Sequence, residues 1–218
     1  MIHIPDLFSY NTDLIMTNDL GKDALLLRQF VTNYAVELLR DIKTIYSQSP
    51  FRYMTIPTGS RMSVSMTSCG EAGWISDRQG YRYSETDPLT GKCWPAMPIL
   101  WRDLACAAAK QAGFNDFQPQ SCLINHYQIG TKLSLHRDQD EQQLNAPVVG
   151  FSLGIPAVFV WGGLNRQDKQ IKLPLFHGDA LVFGGCDRLR YHAILPIRAN
   201  THPLLKTSRI SLTFRQLW

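Results

Sequence analysis

The chain has little cysteine, and what it has is in no metal-binding or bridging pattern. Its five cysteines, Cys69, Cys93, Cys106, Cys122 and Cys186, are odd in number and include no Cys-x-x-Cys pair. That argues against a disulfide framework and a zinc ribbon, and a reducing cytoplasm is the expected compartment. No apolar run approaches the ~18 residues that span a bilayer, so no membrane segment is expected. The opening MIHIPDLFSYNTD lacks a basic stretch followed by an apolar one, so no signal peptide is expected either. There is no internal repeat and no low-complexity tract. What is present is a chain of 218 residues, 44% hydrophobic and 18% charged, with a net charge of +4. Such a chain can bury one full core. Its mild basicity suits a polyanionic partner without specifying one.

Residues 24–30, ALLLRQF, predict a strand. Thr32 predicts the cap of a helix reaching about Ser47, with Tyr34, Leu38, Ile42 and Ile45 near helical spacing. A second helix is predicted from Ile99 to Ala112, with Pro98 at its entry and Gly113 at its exit. Residues 50–97 between them read as short strands and turns (RMSVSMTS, GWIS, GYRYS, then DPLTGK). From residue 121 the pattern changes to a series of short runs. CLINHYQ, PVVGFSLG, AVFVWGG, IKLPLF, DALVFGG, HAILPI and RISLTFR are separated by Gly, Pro, Asn and Asp. This series predicts a mainly β protein with flanking helices (α+β), its strands in a sandwich or jelly roll. No linker divides the chain. The expected organisation is a single domain, 1–218, with a lid at 50–97 and a catalytic core at 121–216.

The sharpest local feature is His136-Arg137-Asp138. Residues two apart on an extended strand share a face, so one strand can deliver an imidazole and a carboxylate together. With a second His they would form a facial set of ligands that leaves metal positions open, as a redox-active Fe(II) requires. The pattern alone is weak, since His-x-Asp arises by accident about a third of the time in a chain of this composition. The third ligand is open among His3, His126, His177, His192 and His202. His192, opening the strand HAILPI, has the best placement.

Arg209-Ile-Ser-Leu-Thr-Phe-Arg215 alternates as a strand, with Arg209, Ser211, Thr213 and Arg215 on one face. That face is either solvated or turned into a barrel that holds a dianion. In the second case two guanidiniums could clamp a dicarboxylic acid, with Asn125 and Tyr127 on a neighbouring wall.

Taken together, these stretches resemble the AlkB family of Fe(II)/2-oxoglutarate dioxygenases over nearly the whole chain. The resemblance rests on SQSPFR, MSVSMTSCGEAGW, RQGYRYS, CWPAMP, DFQPQSCLINHY, LSLHRDQDE, FSLGIPAVFVWGGL, HGDALVFGG, RLRYHAI and RISLTFRQ. It implies a double-stranded β-helix (jelly roll) in which residues 50–97 form a nucleotide-recognition lid. It implies His136, Asp138 and His192 as iron ligands, and Asn125, Tyr127, Arg209, Ser211 and Arg215 as contacts to 2-oxoglutarate. The family has Asn where this chain has Ser211, and often Gly where it has Ala193. Trp74, Tyr81, Arg82, Tyr83, Asp140 and Arg166 match positions around the damaged nucleotide. The implied activity is oxidative demethylation of bases such as 1-methyladenine and 3-methylcytosine, using O2 and releasing succinate, CO2 and formaldehyde. The implied partner is single-stranded or damaged DNA, with RNA as a second class, acted on by a monomer.

The residue chemistry accords with this, since an enzyme acting on a base must unstack it and grip its faces and edge. Trp74 could stack on one face with His136 on the other, and Asp140 could accept from an exocyclic amine. Each of these residues also has an ordinary structural reading. Trp74 could be core, Tyr81 and Tyr83 cross-strand packing, and Asp140 a cap. Two rival functions remain at this stage: iron chemistry on a protein, lipid or metabolite, and a silent nucleic-acid-binding module.

Overall fold

The computed structural model describes residues 20–218. His3 lies outside them. Strand β1 (Ala24–Leu27) is shorter than the predicted 24–30. Gln29 takes a positive φ of 56°, and the Arg28 side chain turns to Asp179, which ends the strand. Helix α1 (Ala35–Gln48) starts two residues later than predicted, with Tyr34 and not Thr32 at its cap position, behind a single 3-10 turn at Thr32–Tyr34. Thr32 caps nothing, because its hydroxyl packs into the space a Cβ would take at Gly178.

Strands β2 (Arg52–Thr55) and β3 (Arg61–Gly70) follow, then the hairpin of β4 (Gly73–Asp77) and β5 (Gly80–Ser84). Helix α2 (Ile99–Gln111) lies where Pro98 and Gly113 place it. Its end is a complete Schellman motif. Gly113, at φ +90°, donates to Lys110 O, and Phe114 donates to Ala109 O.

The seven predicted runs then appear as β6 (Ser121–Tyr127), β8 (Val148–Gly154), β9 (Ala157–Trp161), β10 (Ile171–Leu175), β11 (Ala180–Phe183), β12 (His192–Ile194) and β13 (Arg209–Arg215). One more strand, β7 (Leu133–His136), carries His136.

The strands build a large antiparallel sheet, β1-β11-β8-β13-β6-β3-β2, facing a smaller one, β10-β9-β12-β7. This is the jelly-roll arrangement, with β4-β5 as a separate two-stranded sheet at the edge. Helices α1 and α2 cover the outer face of the large sheet. There Leu38, Ile42, Trp101 and Leu104 pack with Phe151, Leu212 and Phe214. A second apolar cluster, including Leu123, Val148, Phe159, Trp161 and Phe183, packs between the two sheets and leaves a cavity there.

Two covered faces decide the orientation of β13. Ile210, Leu212 and Phe214 face the helices, so Arg209, Ser211, Thr213 and Arg215 point between the sheets. The two arginines are only 2% and 7% exposed, which removes the solvated-face reading.

Candidate metal centre and active site

His136 ends β7 and His192 begins β12, and the two are cross-strand partners with ring centroids 4.4 Å apart. Asp138 lies two residues beyond the end of β7 and so is delivered by the following loop, not by the strand itself. Its Oδ1 faces Nε2 of both imidazoles at 3.9 Å each. One donor atom from each of the three residues lies within 4.8 Å of the others. Of the described histidines, His192 is the one brought to this cluster. His126 sits on β6 beside Ser65 and Phe51, and His177 and His202 face each other elsewhere.

The imidazole tautomers follow from the hydrogen bonds. Nδ1 of His136 lies 2.7 Å from Ser134 O, and Nδ1 of His192 lies 3.0 Å from Arg190 O. A carbonyl only accepts, so each Nδ1 carries the proton and each Nε2 turns its lone pair toward Asp138. Burial, and after it the neighbouring His136, push the His192 pKa down to about 4, so its ring is neutral at physiological pH. Burial alone would raise the Asp138 pKa. The Arg215 guanidinium, then the two imidazoles, overcome this and hold the carboxyl well below the usual carboxylate range. Two imidazole nitrogens and a carboxylate are a donor set suited to Fe(II), with positions left for co-substrates.

The cluster lies in a cavity of about 700 Å³ between the sheets. Along one wall Tyr127 and Asn125 of β6 stand opposite Arg209 and Ser211 of β13 in register. Arg209 donates to Ser152 Oγ at 3.0 Å and lies 4.9 Å above the Tyr127 ring. Its Nε and Nη1 are buried without partners, and no carboxylate pairs with it among the described residues. Arg215 differs, since two carboxylates already match its charge. Nη2 donates to Asp138 Oδ2 at 2.8 Å, and Nε lies 3.1 Å from Glu141 Oε1.

At the mouth, Trp74 and Tyr81 stack with centroids 5.7 Å apart and planes 11° from parallel. The Trp74 indole donates to Asp140 Oδ2 at 2.8 Å. Arg166 also lines the cavity, donating to Leu135 O and lying over the Tyr191 ring. Two residues of the expected substrate set are turned elsewhere. Arg82 alternates to the other face of β5 and makes a double hydrogen bond to Asp77, at 2.9 and 2.7 Å. Tyr83 points inward, where its hydroxyl donates to Glu141 Oε1 at 2.6 Å, and burial raises its pKa. Neither lines the cavity.

Sequence reasoning assigned no role to Glu141, Ser152, Arg188 or Tyr191. Arg188 and Glu141 form a buried ion pair at 2.9 Å across 47 residues of sequence. No local pattern marks either residue, since each is defined by a partner far along the chain.

The family model of the 2OG-Fe(II) oxygenase superfamily matches residues 23–215. The AlkB dioxygenase of Escherichia coli is 54% identical over 197 residues, covering 90% of this chain and 91% of that protein. The chain belongs to the AlkB family of 2-oxoglutarate- and Fe(II)-dependent oxygenases. The AlkB homologue of Caulobacter vibrioides is 40% identical over 170 residues, covering 78% of this chain and 76% of that protein. The solved structure of OsALKBH1 superposes with a TM-score of 0.79 at 30% identity, covering 90% of this chain and 98% of that one. As an AlkB-family dioxygenase the chain uses Fe(II), 2-oxoglutarate and O2. The cavity fits those groups. Its three donor residues converge, and the Arg209 guanidinium, with Nε and Nη1 unpaired and no carboxylate partner among the described residues, is a site prepared for a carboxylate.

Proposed function

We propose that this chain oxidatively demethylates N-alkylated bases, of the 1-methyladenine and 3-methylcytosine kind, in single-stranded or damaged DNA and also in RNA. The observation that carries this reading is the Trp74–Tyr81 stack, with Asp140 bonded to the Trp74 indole, at the mouth of the cavity that leads to His136, Asp138 and His192. Bound there, Fe(II) with 2-oxoglutarate and O2 supplies the oxidation: the keto acid leaves as succinate and CO2, and the oxidised N-methyl group departs as formaldehyde.

The protein's own contribution is binding, orientation and protection. His136, Asp138 and His192 hold the iron. Arg209 pairs with the distal carboxylate of 2-oxoglutarate, supported by Tyr127 and Ser152. Ser211, shorter than the family's Asn, can still donate to it, and Asn125 adds an amide. Arg215 holds Asp138 in place beside the keto acid.

A flipped base is gripped on one face by Trp74, with His136 on the other. Asp140 accepts from the exocyclic amine and favours the positively charged lesion over the neutral base. Unpaired strands are preferred, because opening a duplex costs a few kcal/mol. Residues 50–97 act as the lid over this cavity and 121–216 as the catalytic core of a single domain. Five cysteines without a pairing pattern favour a reducing cytoplasm, and the chain acts there as a monomer, which sedimentation with and without oligonucleotide tests.

The deciding assay is formaldehyde release from a methylated oligonucleotide, with Fe(II) and 2-oxoglutarate present or omitted. Release that needs both supports the reading. Turnover of 2-oxoglutarate with no formaldehyde from any methylated oligonucleotide would overturn it.

A further inference from the structure

Residues 137–147, between β7 and β8, belong to no strand, yet they carry Asp138, Asp140 and Glu141. No sheet ladder sets the path of this loop. Main-chain bonds from Gln142 and Gln143 to Leu217 O, at 3.0 and 3.1 Å, hold its middle. Nearer the metal cluster, where Arg215 takes the Asp138 carboxylate, the main chain of the loop is held by a second buried side chain, Arg188, which is 2% exposed and stands four residues before His192.

All three of its guanidinium nitrogens are directed at the loop. Nη1 donates to the main-chain oxygen of Asp138 at 2.7 Å, Nη2 to Glu141 Oε2 at 2.9 Å, and Nε to Ala146 O at 3.0 Å. The anchor is itself fixed, because the adjacent Asp187 carboxylate accepts from Asp23 N and pairs with Arg190. The Glu141 carboxylate is shared. Its Oε1 takes the Tyr83 hydroxyl of β5 and lies beside Arg215 Nε. Arg188 and Glu141 together therefore tie the segment leading to His192, the loop bearing Asp138 and Asp140, and the hairpin bearing Trp74.

We infer that Arg188 is a positioning residue. It sets where the 137–147 loop places the Asp138 carboxylate relative to His192, and the Asp140 carboxylate relative to Trp74. The inference rests on the proposed roles of Asp138 as metal ligand and Asp140 as contact to the base. Only a planar three-nitrogen fork can reach two carbonyls and a carboxylate at once, and a lysine ammonium keeps the charge without that geometry. Partners that orient metal ligands are worth about 10–100-fold in metal affinity or activity. A loosened loop also misplaces the base, so oxidation of 2-oxoglutarate proceeds more often without demethylation.

The test uses the Arg188→Lys protein in two measurements. One is anaerobic Fe(II) titration in the presence of 2-oxoglutarate, followed by the visible charge-transfer absorption of the keto acid–Fe(II) pair. The other is the ratio of formaldehyde to succinate formed on a methylated oligonucleotide. Arg28→Met, which removes the half-buried guanidinium paired with Asp179 at 2.6 Å, serves as a control for general loss of stability.

The expected result is Fe(II) binding weakened about 10–100-fold and a formaldehyde-to-succinate ratio lowered severalfold in Arg188→Lys, with both near wild type in Arg28→Met. Values within twofold of wild type, or an equal fall in the control, would overturn the inference. Should Arg188→Lys melt below the assay temperature, Glu141→Gln is read in its place, since it weakens the same grip with little change in shape. An unchanged ratio there is equally damaging. The wild-type titration separates the two readings. No charge-transfer absorption in the wild-type protein sinks the metal assignment and this inference with it, whereas a normal wild-type signal with an unaltered Arg188→Lys sinks the inference alone.

Discussion

Arg215 and Asp138 meet between the two sheets so that the carboxylate is used from both sides. Oδ2 accepts from Arg215 Nη2 at 2.8 Å, while Oδ1 faces Nε2 of His136 and of His192 at 3.9 Å each. The guanidinium thus fixes which oxygen is presented to the imidazoles. Removing one partner of a buried pair leaves an uncompensated charge and costs about 3–5 kcal/mol. Arg215→Met is expected to lose stability of that order in metal-free urea denaturation, and to regain part of it with Fe(II). A loss under about 1 kcal/mol would mean that Asp138 does not depend on Arg215.

His136→Ala and Asp138→Ala are each expected to abolish both iron retention and formaldehyde release. Metal content after gel filtration and turnover are the measurements. A protein lacking either side chain that still holds stoichiometric iron would refute the ligand assignment.

Arg209 leads to an expectation of opposite signs. Its guanidinium is buried without a carboxylate partner among the described residues, and burial lowers its pKa. Arg209→Met should therefore leave the ligand-free protein as stable as wild type or more so. The same change should raise the 2-oxoglutarate requirement on the order of a hundredfold. Thermal melting without ligand and the apparent KM for 2-oxoglutarate report the two effects. An unchanged KM would rule out this guanidinium as the carboxylate's partner.

Stacking on an aromatic ring is worth about 1–3 kcal/mol per base. Trp74→Ala is expected to lower kcat/KM on methylated oligonucleotides by roughly 5- to 150-fold. Decarboxylation of 2-oxoglutarate in the absence of nucleic acid should change far less. Equal losses in both assays would identify Trp74 as a structural residue.

His177 and His202 lie outside the cavity, with ring centroids 4.2 Å apart. Nδ1 of His177 accepts from Gly154 N at 3.0 Å, and Nδ1 of His202 accepts from Leu204 N at 3.3 Å. Burial, then the neighbouring His202, lowers the pKa of His177, and burial lowers that of His202, from an ordinary 6.5. A lowered folded-state value means the unfolded chain binds protons more readily. The pair therefore contributes stability above pH about 6.5 that is lost as pH falls through that value toward the lower folded-state pKa. His177→Asn keeps an acceptor for Gly154 but does not titrate. It should shrink the fall in Tm between pH 7.5 and 5.5, and a fall equal to wild type would show the pair is not responsible.

Local chemistry made much of this molecule legible before any coordinates. Strand periodicity in RISLTFR, the spacing of His136 and Asp138, and Pro98 and Gly113 around α2 each depend on neighbours a few residues away, which is the range a sequence displays. The start of α1 was misread for the same reason. The hydroxyl of Thr32 is taken by contact with Gly178, a residue 146 positions on that no local pattern reveals.

The sequence by itself determined that β13 has a polar face and an apolar face, that His136 and Asp138 stand close together, and that the chain resembles a known family. Only the tertiary structure decided which face of β13 is inside, because helices α1 and α2 cover the apolar one and leave the arginines to the cavity. It also decided that His192, out of the four candidates among the described residues, joins His136, since cross-strand pairing is a contact between distant segments. Arg188 and Glu141 became visible for the same physical reason. A buried charge is defined by the partners that folding brings to it, and these stand 47 residues apart in the chain.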